Sequence, residues 1–71
     1  MYVKQPINAC AVDWDDEWYV LNTNEKRIVE SQANEVGAVR GALILNNHAK
    51  KCGHNEHYSV VHRSNVVVQG R

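Results

Sequence analysis

The sequence predicts a small α+β domain, a mainly antiparallel sheet of three or four strands with one helix packed on one face. Three observations lead there. Two short runs rich in aromatic and β-branched residues, 18–23 and 27–30, flank a tight polar turn. A tract with helical apolar spacing follows and begins at a capping residue, Asn34. A third β-prone run, Tyr58, Ser59, Val60, Val61 and His62, comes after a polar loop. The predicted order is ββαβ. Its core spans 18–62, with 1–12 as a lead-in and 63–71 as a candidate extra edge strand.

The lead-in holds the only proline, Pro6, and reads as partly extended. Cys10, Ala11 and Val12 add a short strand or pack under the sheet. Asp13, Asp15, Asp16 and Glu17 follow, and their mutual repulsion keeps that turn in water. Trp14 and Trp18 either anchor the turn on the core or leave an aromatic surface.

In the first long strand Trp18, Val20 and Asn22 share one face, and Tyr19, Leu21 and Thr23 share the other. Both faces carry apolar groups. The helix can cover one, leaving the other to the termini or to a second subunit, and a homodimer is expected. Asn24, Glu25 and Lys26 supply the turn, without the Asn-Gly pair of the strongest hairpins. On the return strand Ile28 and Val29 point to opposite faces.

Asn34 can cap the helix, with Ser31 as a rival, and Glu35 suits the positive helix end. Ala38, Ala42, Leu45, Ala49 and Cys52 recur at alternating spacings of four and three residues. Val36, Val39 and Leu43 are expected to widen that stripe. Gly37 and Gly41 lie beside it. Each costs the helix up to ~1 kcal/mol against alanine, so together they predict a close approach to the sheet or to another helix. The helix stops either at Gly53, with Lys50 and Lys51 complementing the dipole, or near Asn46 and Asn47. The second choice leaves 48–57 as a loop. After the third strand come a turn at Arg63, Ser64 and Asn65 and the β-prone Val66, Val67 and Val68.

At 71 residues the chain has room for one core. A chain of this size buries roughly 60% of its unfolded surface. Its 44% hydrophobic and 23% charged residues are globular values. Phenylalanine is absent, so Tyr2, Trp14, Trp18, Tyr19 and Tyr58 are the large core candidates. Net charge is zero but unevenly spread. Up to Val36, Lys4, Lys26 and Arg27 are outnumbered by Asp13, Asp15, Asp16, Glu17, Glu25, Glu30 and Glu35. Beyond it Arg40, Lys50, Lys51, Arg63 and Arg71 oppose only Glu56. Such polarity favours steering toward a partner. A general nucleic-acid binder would be basic overall. Two cysteines do not make a disulfide framework. No apolar run approaches a membrane span, and no signal peptide is evident, so a cytoplasmic location and no membrane partner are expected.

His48, Cys52, His54 and His57, with His62 beyond, combine the ligand types that zinc prefers, although in no familiar zinc-finger spacing. The plainer reading is a solvated, His-rich loop. A Cys52 nucleophile with His54 or His57 as base would need an oriented pair and an oxyanion site, and the spacing supplies neither, so no enzyme is expected. The carboxylates of 13–17 do not follow the twelve-residue calcium loop. Arg40, Lys50, Lys51 and Arg63 could meet phosphates, but only Tyr58 is near them in sequence as a stacking platform.

The stretch 18–61 resembles small ββαβ proteins encoded by phages and prophages. The resemblance is carried by the aromatic strand ending in Asn22 and Thr23, the Arg27, Ile28, Val29 strand, the capped Ala-rich helix reaching Leu45 and Asn46, and the Tyr58, Ser59, Val60 strand. Gly37, Gly41, the His-rich loop and the valine tail depart from that pattern. The resemblance implies a fold and a mobile-element origin, and it transfers no active-site residue. The function expected is a non-enzymatic protein-binding accessory factor engaging a host protein, with no cofactor. Its contact residues are expected to be Trp14 with Asp13, Asp15 and Asp16, and, on the opposite-signed side, Arg40, Lys50 and Lys51. The alternative is a small nucleic-acid- or zinc-binding module centred on 48–62.

Overall fold

The computed structural model describes residues 1–69, which hold β1 (Tyr2–Val3), β2 (Trp18–Asn22), β3 (Arg27–Gln32), α1 (Glu35–Lys51), β4 (Tyr58–His62) and β5 (Val67–Val68). Single 3-10 turns stand at Ala9–Ala11 and Arg63–Asn65. Strand β2 lies between β3 and β4 and is antiparallel to both. One helix on a three-stranded antiparallel sheet agrees with the expected fold class. The valine tail departs from it, because β5 pairs in parallel with β1, Tyr2 against Val67 and Val3 against Val68, in a separate two-stranded sheet. The turn at Arg63–Asn65 redirects the chain after β4, and Val67 N–H then donates to Met1 C=O and Gln69 N–H to Val3 C=O.

Alternation along β2 sorts the core into two layers. Toward the helix, Val20, Ala38 and Ala42 are buried, with Trp18, Val29, Leu45, Tyr58 and Val60 packed around them. On the other side, Tyr19, Leu21 and Ile28 are buried with Val3 and Val12, and Trp14, Val61, Val66 and Val68 pack against them. That second face is therefore covered by the chain's own two ends. It makes no call on a second subunit. A β-bulge between Val20 and Leu21 inserts Val29 as an extra residue, so Val29 and Glu30 both reach the helix side while Ile28 stays below.

The hairpin closes through Asn22, which is 3% exposed. Its Oδ1 accepts from the N–H groups of Asn24 (3.1 Å) and Glu25 (3.2 Å), and Lys26 completes the turn at φ +59°. Asn34 is the cap of α1, its Oδ1 accepting from Gly37 N–H at 2.8 Å. Ser31 stays in β3. The helix runs past Asn46 and Asn47 to Lys51 and ends at Gly53, φ +74°. There the N–H of Gly53 donates to Lys50 C=O and that of His54 to Ala49 C=O, a Schellman closure.

The buried stripe of α1 is narrower than its sequence suggests. Ala38, Ala42 and Ala49 are buried and Leu45 half-buried, but Cys52 is exposed, and Val36, Val39 and Leu43 are 71%, 51% and 57% exposed. A three-stranded sheet is only about 10 Å wide between its outer strands at ~4.8 Å spacing. Small alanines bring the helix down onto β2 and β4, and the flank carrying Val39 and Leu43 overhangs the sheet. Tyr2, a core candidate, is 67% exposed on the outward side of β1. The two glycines face β3 side chains rather than the sheet backbone. A Cβ at Gly41 would lie 2.9 Å from Glu30 Oε2, and one at Gly37 would lie 3.0 Å from Gln32 Oε1, so β3 side chains rest against the helix backbone.

Candidate functional site

The acidic turn is a built structure. Asp13 Oδ1 accepts from Asp15 N–H at 2.9 Å. Ser31 Oγ accepts from Asp13 N–H at 2.8 Å and donates to Asp16 Oδ2 at 2.7 Å. Arg63 Nη1 donates to Asp15 C=O at 2.9 Å. Trp14 is half-buried, edge-on to Tyr19 with ring centroids 5.5 Å apart, and its C=O accepts from the Tyr19 hydroxyl at 3.0 Å. Trp14 is thus an anchor of the turn rather than the exposed contact expected. Asp13 and Asp15 are exposed, and Asp16 is half-buried. Burial pushes the Tyr19 phenol up; nearby Arg63 opposes this, and the charges of Asp16, Asp13 and Asp15 add to the rise.

Arg63 therefore belongs to the acidic end and leaves the basic set. Arg40, Lys50 and Lys51 are all exposed on α1. Arg40, Ile44, Asn47 and Lys51 follow one another at helical spacing on the outer stripe, which puts Arg40 and Lys51 about 16 Å apart along the axis. Lys50 lies on the flank of Leu43. These cations form a line and do not converge on one point.

Of the zinc candidates, only His48 and Cys52 come together, Nε2 3.7 Å from Sγ, one turn apart on α1. His54 and His57 are exposed beyond the Gly53 turn. His62 sits at the far end of β4, edge-on to Trp18 at 4.8 Å, with Nδ1 2.8 Å from Ser64 Oγ. Among the described residues no group of three or more His, Cys, Asp or Glu side chains could hold a metal ion. The two-ligand pair lies outside any such group.

Two features escaped the sequence reading. Asn46 reaches from α1 to the edge of β4, where its Oδ1 accepts from Tyr58 N–H at 2.7 Å and its Nδ2 donates to Tyr58 C=O at 2.9 Å. One carboxamide thus stands in for a neighbouring strand. The signal was an asparagine inside a helix, where it is a poor former. The second is the outer face of α1, where Ile44 is 61% exposed. Ile44 stands on the lip of a groove of about 380 Å³ between α1 and β3, lined by Glu30, Gln32, Gly37, Arg40, Gly41 and Leu45.

The Tyr58 hydroxyl donates to Glu56 at 2.6 Å. That bond, then burial, then the charges of Glu56 and Glu25 push its pKa up to about 12. The protonated phenol favours the fold, so its contribution is complete below the ordinary value of 10.0 and disappears as pH rises through about 12. In a tyrosinate absorbance titration, the component lost in Tyr58→Phe should have its midpoint near that value. Glu56→Ala should move it toward 10. A midpoint indifferent to Glu56→Ala would exclude the hydrogen bond as the cause.

No described helix is long and apolar enough to cross a membrane. Compared with known proteins, the chain matches no family model, no curated protein and no solved structure.

Proposed function

We propose that this chain is a non-enzymatic protein-binding accessory factor that engages another protein through the outer stripe of α1 and the groove beside it. The observation that carries the reading is Ile44, 61% exposed on the lip of that groove with Arg40 beside it. A large aliphatic side chain held in water on a well-capped helix is ready to enter a partner's pocket. Arginine is a frequent hot-spot residue, and Arg40 and Lys51 on the same stripe favour a partner with carboxylates around its apolar contact. The pinned Asp13 and Asp15 offer a second contact of opposite sign. A phage-type role against a host protein remains the biological setting proposed, on the sequence resemblance alone.

The test is affinity capture from the source cell with wild type and Ile44→Asp in parallel, with circular dichroism to verify the fold. A partner retained by wild type and reduced at least tenfold by the variant supports the reading. That factor corresponds to about 1.4 kcal/mol, within the range of a single hot-spot contact. Equal capture by both proteins would refute it.

A further inference from the structure

The other flank of α1 carries a second surface, built jointly with the edge of β4. In the β2–β4 ladder Thr23 N–H donates to His57 C=O, and Arg63 N–H donates to Glu17 C=O. These bonds fix the alternation, so Tyr58, Val60 and His62 turn their backbone groups away from β2, toward the outer edge of the sheet. Asn46 occupies this edge at Tyr58. Val60 and the N–H of His62 follow along the same edge.

Asn46 also fixes which side of α1 overhangs that edge. Leu43, Val39 and Val36 precede it by three, seven and ten residues and share its flank. Their exposures of 57%, 51% and 71% make them an aliphatic ridge running beside an unfilled strand edge.

We infer that this surface binds a second copy of the chain, through antiparallel β4–β4 pairing about a two-fold axis at Val61. The register follows from the edge. With the axis at Val61, Val60 of one copy lies opposite His62 of the other, and Tyr58 falls opposite Ser64, where the partner's strand has already ended. The Asn46 carboxamide therefore meets no incoming strand.

The helix ridge has the same centre. From Tyr58 to Val61 the strand advances about 10 Å, which on α1 is about seven residues back from Asn46, at Val39. About that point Val39 faces its own copy, and Val36 faces Leu43. The spacing across the sheet also fits. Each helix lies over β2 and β4, so at ~4.8 Å between strands the two axes stand about 9.6 Å apart, inside the 8–10 Å of packed helices. The molecule's extents of 33, 25 and 21 Å bound any one face at about 500 to 800 Å², so the ridge and strand edge give a contact at or below the ~600–1,000 Å² per partner of a standard interface, and a dimer of modest affinity. Val36, Val39, Leu43 and β4 carry no charged carboxylate, lysine or arginine. Lys50, on the same flank, lies eleven residues from Val39, about 16 Å along the axis, so the lysines of two copies stand far apart.

This surface is distinct from the Ile44 groove, and its test is separable. Sedimentation across a wide concentration range should show a monomer–dimer equilibrium. Leu43→Asp and Val39→Asp should each weaken dimerisation at least tenfold with helical circular dichroism unchanged, while Ile44→Asp should leave it intact. In a Cys10→Ser, Cys52→Ser background, Val39→Cys should oxidise to a covalent dimer and Ile44→Cys should not. A chain monomeric at millimolar concentration, or a dimer indifferent to both aspartates, would overturn the inference. Either result leaves the Ile44 reading to its own capture experiment.

Discussion

Tyr19→Ala should cost about 3–5 kcal/mol of folding stability, the range for removing a large buried aromatic side chain. A domain of 71 residues holds about 4–11 kcal/mol in total, so the variant should lose a large share of its stability. Tyr19 is 2% exposed and carries three tasks at once. Its ring fills the lower layer with Leu21 and Ile28, and its edge contact holds Trp14. Its hydroxyl donates to Trp14 C=O, which fixes the acidic turn. Tyr19→Phe keeps the first two tasks and should lose only about 1 kcal/mol. Chemical denaturation of both variants measures the difference. A Tyr19→Ala loss no larger than that of Tyr19→Phe would mean that the lower layer is not a packed core.

Val3→Asp should be as severe. Val3 is fully buried in the strand that closes the lower layer, although it stands at the very start of the described chain. A carboxylate there would be desolvated without a designed partner, a cost of several kcal/mol that protonation only partly relieves. The neighbouring Tyr2→Asp is the control. Tyr2 is 67% exposed and points the other way, so its substitution should change stability by less than about 0.5 kcal/mol. Thermal melting of the pair reads the contrast. Equal melting of Val3→Asp and wild type would mean that the terminal strands do not cover the sheet in solution.

Much of the fold was legible because local signals agreed with one another. The β2 and β4 runs, the Asn34 cap, the Ala38, Ala42 and Ala49 stripe and the Gly53 stop each have a short-range cause, and the chain obeys all of them. The parallel β1–β5 pair has no such cause. It joins residues separated by nearly the whole chain, and Tyr2 and Val3 read as ordinary lead-in. The width of the buried helix face was also hidden, since periodicity cannot tell how far a narrow sheet extends beneath Val39 and Leu43.

The candidate site was less legible still. Asp13, Asp15, Arg40, Lys50 and Lys51 are exposed as expected. Trp14 was readable both as a core anchor and as an exposed contact, and the Tyr19 ring beneath it, which the carboxylates around it do not announce, makes it an anchor. Arg63 was misplaced because its partner, Asp15, is remote in sequence. Ile44 stands on the outer stripe with Arg40, Asn47 and Lys51, away from the apolar stripe that the spacing marks, so the sequence assigned it no role.

The closing of the lower layer by β1 and β5 has a consequence for how the protein is made. During synthesis β5 is the last of the described strands to leave the ribosome, a few residues behind β4. Tyr19, Leu21 and Ile28 must therefore wait, half sheltered, until Val67 and Val68 emerge and find Tyr2 and Val3. Until that pair forms, the underside of the sheet stays open to water or to a chaperone.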